Sequence, residues 1–117
     1  MNKVTNFPWL AGALALGLAG AAELAYADEI REIEIIVDGA YRPDRVSVRV
    51  GERVRLRFLR RDPSPCVADV VFPELGIRRT LALNRATVVE LPALSPGEYA
   101  FRCGMGMIRG AIVVLPR

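Results

Sequence analysis

In Arg53-Val-Arg-Leu-Arg-Phe58, apolar and charged side chains alternate at every step. Successive side chains of an extended strand point to opposite faces, so this spacing predicts a strand with Val54, Leu56 and Phe58 inward and the arginines outward. Arg45-Val-Ser-Val-Arg-Val50 repeats the pattern and places Val46, Val48 and Val50 on one face, with Gly51-Glu52 as the turn between the two runs. A first strand is expected over Arg31 to Val37, ended by Asp38-Gly39. Others are expected over Val67 to Phe72, Ile77 to Leu83, Thr87 to Leu91, Glu98 to Cys103 and Arg109 to Leu115, joined by short Pro/Gly loops such as Ser95-Pro96-Gly97. No stretch from residue 28 onward reads as a long amphipathic helix. The sequence therefore predicts an all-β domain of seven to eight short strands, arranged as a Greek-key sandwich or a small barrel.

The first 27 residues follow a different logic. Lys3 precedes an uncharged, mostly apolar stretch from Phe7 to Ala22, and the small-residue pattern Ala25-Tyr26-Ala27 stands just before Asp28-Glu29. This order is that of a signal peptide, and cleavage is expected after Ala27. The apolar stretch falls short of the roughly 20 residues that a bilayer-spanning helix needs, which disfavours the alternative of an anchor over residues 7–22. Without cleavage the protein would stay on the membrane. With it, residues 28–117 form one exported domain, expected to be monomeric and, in a bacterium, periplasmic.

The chain of 117 residues contains no histidine. That excludes Ser/His and Cys/His nucleophile pairs, His-ligated zinc and His-containing blue-copper sites, and no catalysed reaction is expected. A net charge of +3 and few aromatic residues make nucleic acid an unsuitable partner.

Sulfur remains. Cys103-Gly-Met-Gly-Met107 ends the strand expected from Glu98, and Cys66 follows Asp62-Pro-Ser-Pro65 between two earlier strands. Both are strand ends, where loops of a rigid scaffold converge. In an extended segment the sulfurs of Cys103, Met105 and Met107 would project to one side, while the intervening glycines also permit a tight loop with positive φ. Met1 initiates the chain, so every other methionine belongs to this motif. Thiolate and thioether donors without imidazole select soft ions, and Cu(I) is the obvious one for an exported protein. Zinc is less well served, because thioether is not among its usual ligands. Cys66, Cys103, Met105 and Met107 are therefore the candidate ligands, for one Cu(I) or for two.

Two other readings compete. The oxidising compartment and the cysteine count favour a Cys66–Cys103 disulfide, and a loop of that size would contribute roughly 4 kcal/mol. A structural crosslink has no use for two adjoining thioethers, which returns the preference to the metal. A disulfide-stapled module could instead dock an acidic partner on an arginine face of Arg45, Arg49, Arg53, Arg55 and Arg57. Glu32, Glu34 and Glu52 are available to pair with those arginines, so a plain solvated face is the better expectation.

These residues resemble the cupredoxin-like domain of bacterial copper-handling proteins, including membrane-anchored Cu(I) chaperones and the related domain of some copper-exporting P-type ATPases. The resemblance rests on Ile33-Glu-Ile-Ile-Val37 with Tyr41-Arg-Pro-Asp44, on Arg61-Asp-Pro-Ser64 leading to Cys66, and on Val71-Phe-Pro73 with Gly76-Ile77. It continues in Pro96-Gly-Glu-Tyr99 and in Phe101-Arg-Cys-Gly-Met-Gly-Met107 with Gly110 beyond. It implies a cupredoxin-like β-sandwich in which Cys66, Cys103, Met105 and Met107 bind Cu(I). It also implies a protein donor or acceptor of copper, such as a copper-transporting P-type ATPase or an oxidase assembly factor. Ordinary cupredoxins use two histidines in a redox-active site. Their absence here, with Cys66 in the place of the first, argues against an electron carrier.

Overall fold

The computed structural model describes residues 29–117. The expected signal segment 1–27, its cleavage point and the alternative anchor over 7–22 lie outside the described residues. Nine strands occur among the described residues: β1 (Ile30–Val37), β2 (Tyr41–Arg42), β3 (Arg45–Arg49), β4 (Arg53–Arg60), β5 (Asp69–Phe72), β6 (Ile77–Thr80), β7 (Ala86–Glu90), β8 (Gly97–Cys103) and β9 (Arg109–Leu115). They form two sheets, one in the order β2-β1-β4-β7 and the other in the order β3-β9-β8-β5-β6. The architecture is thus a two-sheet β-sandwich, the first of the two arrangements expected.

Alternation decides what each strand buries. Val54, Leu56 and Phe58 of β4 and Val46 and Val48 of β3 point inward as the spacing predicts, and Ile35 and Val37 of β1 join them. Each such side chain contributes roughly 1.5–3 kcal/mol on burial. Between the sheets Tyr41 and Phe101 meet edge-on with ring centroids 4.8 Å apart, and Phe58 packs edge-on against Phe101 at 5.8 Å and Phe72 at 6.2 Å. Sheet-on-sheet packing leaves a layer of this kind about 10 Å thick.

Three expectations are corrected. The strand expected to begin at Val67 begins at Asp69, because Pro65–Val67 form a 3₁₀ turn. The strand expected to run from Ile77 to Leu83 stops at Thr80. Leu81 leaves the ladder there, its N–H donating to the Ala68 carbonyl at 2.7 Å, and its side chain is buried. The two-residue strand β2 was hidden by its length, since a pair of residues shows no period; it brings the count to nine.

The arginines expected on one face are divided between the sheets, with Arg45 and Arg49 on β3 and Arg53, Arg55 and Arg57 on β4. Arg57 meets Glu34 at 2.6 Å, Arg55 meets Glu90 at 3.0 Å and Glu32 at 4.0 Å, and Arg45 meets Glu98 at 2.9 Å. Arg31 takes Glu52, at 3.3 Å. Cross-strand neutralisation of this kind makes the polar face expected, and no continuous basic one.

Strand directions bring the Cys66 turn and the Cys103 loop to one end. β5 and β9 begin where β8 ends, and the parallel strands β1 and β4 end on that side too, since Arg60 at the end of β4 reaches the Leu81 carbonyl while Leu81 N–H donates to the Ala68 carbonyl just before β5. The turns after β1, β4 and β8 are therefore neighbours. The Gly39 N–H donates to Asp62 Oδ2 at 3.1 Å and ties two of them together.

Candidate metal centre

Cys103 is the last residue of β8 and is wholly buried. Its backbone N–H donates to the Ile108 carbonyl at 3.1 Å, and its own carbonyl accepts from Gly106 N–H at 2.9 Å. The five residues 103–107 therefore form a closed loop rather than the extended segment that would align their sulfurs. Gly106 supplies the positive φ, 74°, that closes it. The loop folds its amides onto the sulfur. Met107 N–H donates to Cys103 Sγ at 3.1 Å and Ile108 N–H at 3.4 Å. Burial pushes the thiol pKa up, but the amides of Ile108 and Met107, helped by Met105 and Gly106, overcome it and hold the thiol below its ordinary value. Hydrogen bonds aimed at sulfur favour the thiolate, the form that ligates metals.

Met105 and Met107 point the other way, 70% and 73% exposed. A thioether gains by burial, so two such side chains held in water beside a buried thiol contribute nothing to the core. One loop thus holds a sequestered sulfur and two accessible ones.

Cys66 is built differently. It occupies the middle of the 3₁₀ turn Pro65–Val67, capped by Ser64, whose Oγ accepts the Cys66 N–H at 3.2 Å. The preceding Asp62 accepts Ser64 N–H on Oδ1 at 2.9 Å as well as Gly39 N–H on Oδ2. The clamp over this turn is Arg60, at the end of β4. Its guanidinium donates to the carbonyls of Asp62 (2.8 Å), Leu81 (3.1 Å), Pro63 (3.2 Å) and Ser64 (3.1 Å). A Pro-rich turn lacks the N–H donors that would satisfy its carbonyls internally, and Arg60 supplies them from one side chain.

The pairing Val70↔Cys103 sets β5, and with it the turn that carries Cys66, beside the Cys103 loop. Both thiols are free, so the Cys66–Cys103 disulfide weighed from the compartment is not formed here. Among the described residues no three His, Cys, Asp or Glu side chains gather into a metal-holding group. The loops at this end carry Cys66, Cys103, Met105 and Met107. Clefts lined by Ile30, Glu52, Arg53 and Leu91 lie at the opposite end, away from the cysteines.

Two residues escaped the reading of the sequence. Arg60 carried a signal, because it breaks parity: Arg53, Arg55 and Arg57 occupy the outward positions of β4, whereas Arg60 shares the inward parity of Val54, Leu56 and Phe58. Tyr41 carried none. It is buried against Phe101 with a hydroxyl that has no hydrogen-bond partner among the described residues, and burial first, then the nearby Cys103, pushes its pKa well above that of an ordinary phenol.

A two-sheet sandwich with its chemistry on the loops of one end defines a recognisable class of domain. The chain belongs to the cupredoxin-like domain family, whose model matches residues 9–114. It is similar to the metal-binding domain of the Cu(I)-exporting P-type ATPase CopA of Streptococcus pneumoniae, solved with Cu(I), at 27% identity and a TM-score of 0.71 over 75% of this chain and 88% of that one. It is also similar to a copper binding protein solved in the apo form, at 36% identity and a TM-score of 0.68 over 73% of this chain and 87% of that one. Auracyanin B, at 14% identity and a TM-score of 0.57 over 74% and 89% of the two chains, shares the fold. No curated protein sequence matches the chain.

Proposed function

We propose that this protein is a Cu(I) carrier of the bacterial periplasm that holds the ion through Cys66, Cys103, Met105 and Met107 and passes it to a partner without catalysing a reaction. The observation that carries the reading is the division of labour within residues 103–107. A buried, amide-bonded thiol retains a soft ion, and two exposed thioethers release it. Likeness to the two copper-binding domains supports copper as the cargo. The all-sulfur donor set supports Cu(I), which accepts two or three sulfur ligands where Cu(II) prefers nitrogen and oxygen. Four sulfurs suffice for one ion or for two.

Transfer in this scheme is ligand exchange. An incoming thiolate or thioether takes the place of Met105 or Met107 while the cysteines still hold the ion, and no electron moves. The chemistry suits delivery to a copper-transporting P-type ATPase or to an oxidase assembly factor. Periplasmic residence rests on the targeting pattern of residues 1–27.

Titration with Cu(I) against a competing Cu(I) chelator tests the site. Cys66→Ser and Cys103→Ser should each weaken binding by more than the roughly 100-fold that loss of a supporting contact around a metal costs. Unchanged affinity in both variants would overturn the assignment.

A further inference from the structure

We propose that the outer face of the five-stranded sheet, where it borders the methionine loop, is a docking surface for an acidic protein that presents its own sulfur ligand. The proposal rests on the reading of Met105 and Met107 as the point of exchange and deepens it by stating what kind of partner fits there.

The sheet register lines up a row of residues. Arg78 of β6 stands opposite Val71 of β5, Val71 opposite Arg102 of β8, and Arg102 opposite Arg109 of β9. Residues paired across strands share a face, so one row carries Arg78, Arg102 and Arg109. With strands about 4.8 Å apart, it spans roughly 14 Å. All three guanidinium groups adjoin residues 103–107. Arg102 Nη1 donates to the carbonyls of Cys103 and Gly104 at 3.1 and 3.2 Å. A Cβ on Gly104 would stand 3.2 Å from Arg78 Nη2, and one on Gly106 would stand 3.8 Å from Arg109 Nη2.

Stability does not explain the row. Like charges directly opposite one another on an antiparallel pair are destabilising, and Arg102 faces Arg109 directly. Elsewhere the protein neutralises such positions with glutamate, as at Arg55 and Arg57. Here Arg78 is matched by Asp69 at 2.9 Å. Among the described residues, Arg102 and Arg109 have no carboxylate within ion-pair distance. Arg109 is exposed, and Arg102 spends only part of its donor capacity on two neutral carbonyls.

An anion from outside the chain completes this arrangement. Its source is fixed by what stands beside the row, which is a pair of thioethers offered to solvent. A copper acceptor has to bring sulfur to that loop while its carboxylates meet the arginines, and a lipid headgroup brings none. Charge complementarity of this kind accelerates encounter and sets orientation, both of which a ligand exchange between two proteins requires.

The test uses the metal-free full chain and three probes. These are a synthetic peptide with a Met-x-Met centre flanked by glutamates, the same peptide with glutamines in their place, and phosphatidylglycerol vesicles. The glutamate peptide should bind, and more weakly as salt is raised. Replacing both arginines (Arg102→Gln with Arg109→Gln) should lower its affinity about tenfold, at roughly threefold for each exposed charge contact. Arg109→Gln alone, which removes no hydrogen bond to the backbone, should lower it about threefold and leave Cu(I) affinity as it was. Equal binding of the glutamine peptide, wild-type affinity in both variants, or binding of the vesicles but not the peptide would each overturn the proposal. A parallel Cu(I) titration keeps the two readings apart. A wild-type protein that fails to bind Cu(I) sinks the carrier reading and leaves the peptide result standing.

Discussion

Cys66 and Cys103 reach the same end of the sandwich by opposite means. The Cys103 loop is built from its own backbone: its amides close onto the sulfur, and the glycines that let it do so are interleaved with the methionines. The Cys66 turn is held from outside, by a guanidinium at the end of β4 and by carboxylate and hydroxyl caps. One sulfur is therefore fixed by the backbone of its own loop, and the other by the side chains of Arg60, Asp62 and Ser64 that precede it, with Arg60 also bound to the distant Leu81 carbonyl. The difference shows where the proposed site can be disturbed without touching a proposed ligand.

The largest effect is expected at the base of the Cys103 loop. Gly110 lies opposite Phe101, and a Cβ there would stand 2.4 Å from the Phe101 ring and 2.8 Å from the Asp44 carbonyl. Neither neighbour can yield, since one is core and the other backbone. Gly110→Ala should cost about 3 kcal/mol by overpacking, read from the urea midpoint of the metal-free protein.

Arg60→Met comes next and strikes the other cysteine. It strands four carbonyls at the rim of the core and should cost about 2 kcal/mol. Because Cys66 then loses its clamp, Cu(I) affinity should fall about tenfold, as for other contacts that orient a ligand. Retained affinity in a folded Arg60→Met protein would show that the Cys66 turn orders itself, and the contrast between the two cysteines would fail.

Met105→Leu and Met107→Leu should change the stability of the metal-free protein by less than about 0.5 kcal/mol, since both side chains are in solvent. Release of Cu(I) to a chelator should quicken in the same variants, because leucine offers no donor atom, which separates exchange from scaffolding. A marked loss of stability would mean that the loop leans on its methionines.

The smallest effect lies at the far end and serves as the control. Glu52 is held below the ordinary carboxylate range, first by the Arg49 amide at 2.8 Å and then by Arg31. A lowered folded-state pKa contributes stability that is complete above the ordinary carboxylate value and is lost as pH falls through the lowered one. Glu52→Gln should flatten that acid limb by less than about 0.5 kcal/mol and leave Cu(I) binding untouched.

The alternation in Arg53-Val-Arg-Leu-Arg-Phe58 was legible because one face of β4 is dry and the other wet. The Cys103 loop was legible for a related reason: its sulfurs and glycines are contiguous, and a loop that satisfies its own hydrogen bonds needs nothing remote. The sequence alone thus determined an all-β domain, its inward residues, and a sulfur set without histidine.

Only the tertiary structure decided the rest. Nothing near Cys66 in the chain says that β5 pairs with β8 through Val70 and Cys103, or that Arg60, whose inward parity is legible, reaches across to the Leu81 carbonyl. Nor could the sequence bring Arg78, Arg102 and Arg109 into one row, since they come from three strands and meet only through the sheet's register. The physical reason is common to all three cases. Alternation fixes which way each side chain faces along its own strand, whereas which strands lie side by side is settled by how the two sheets share a single core.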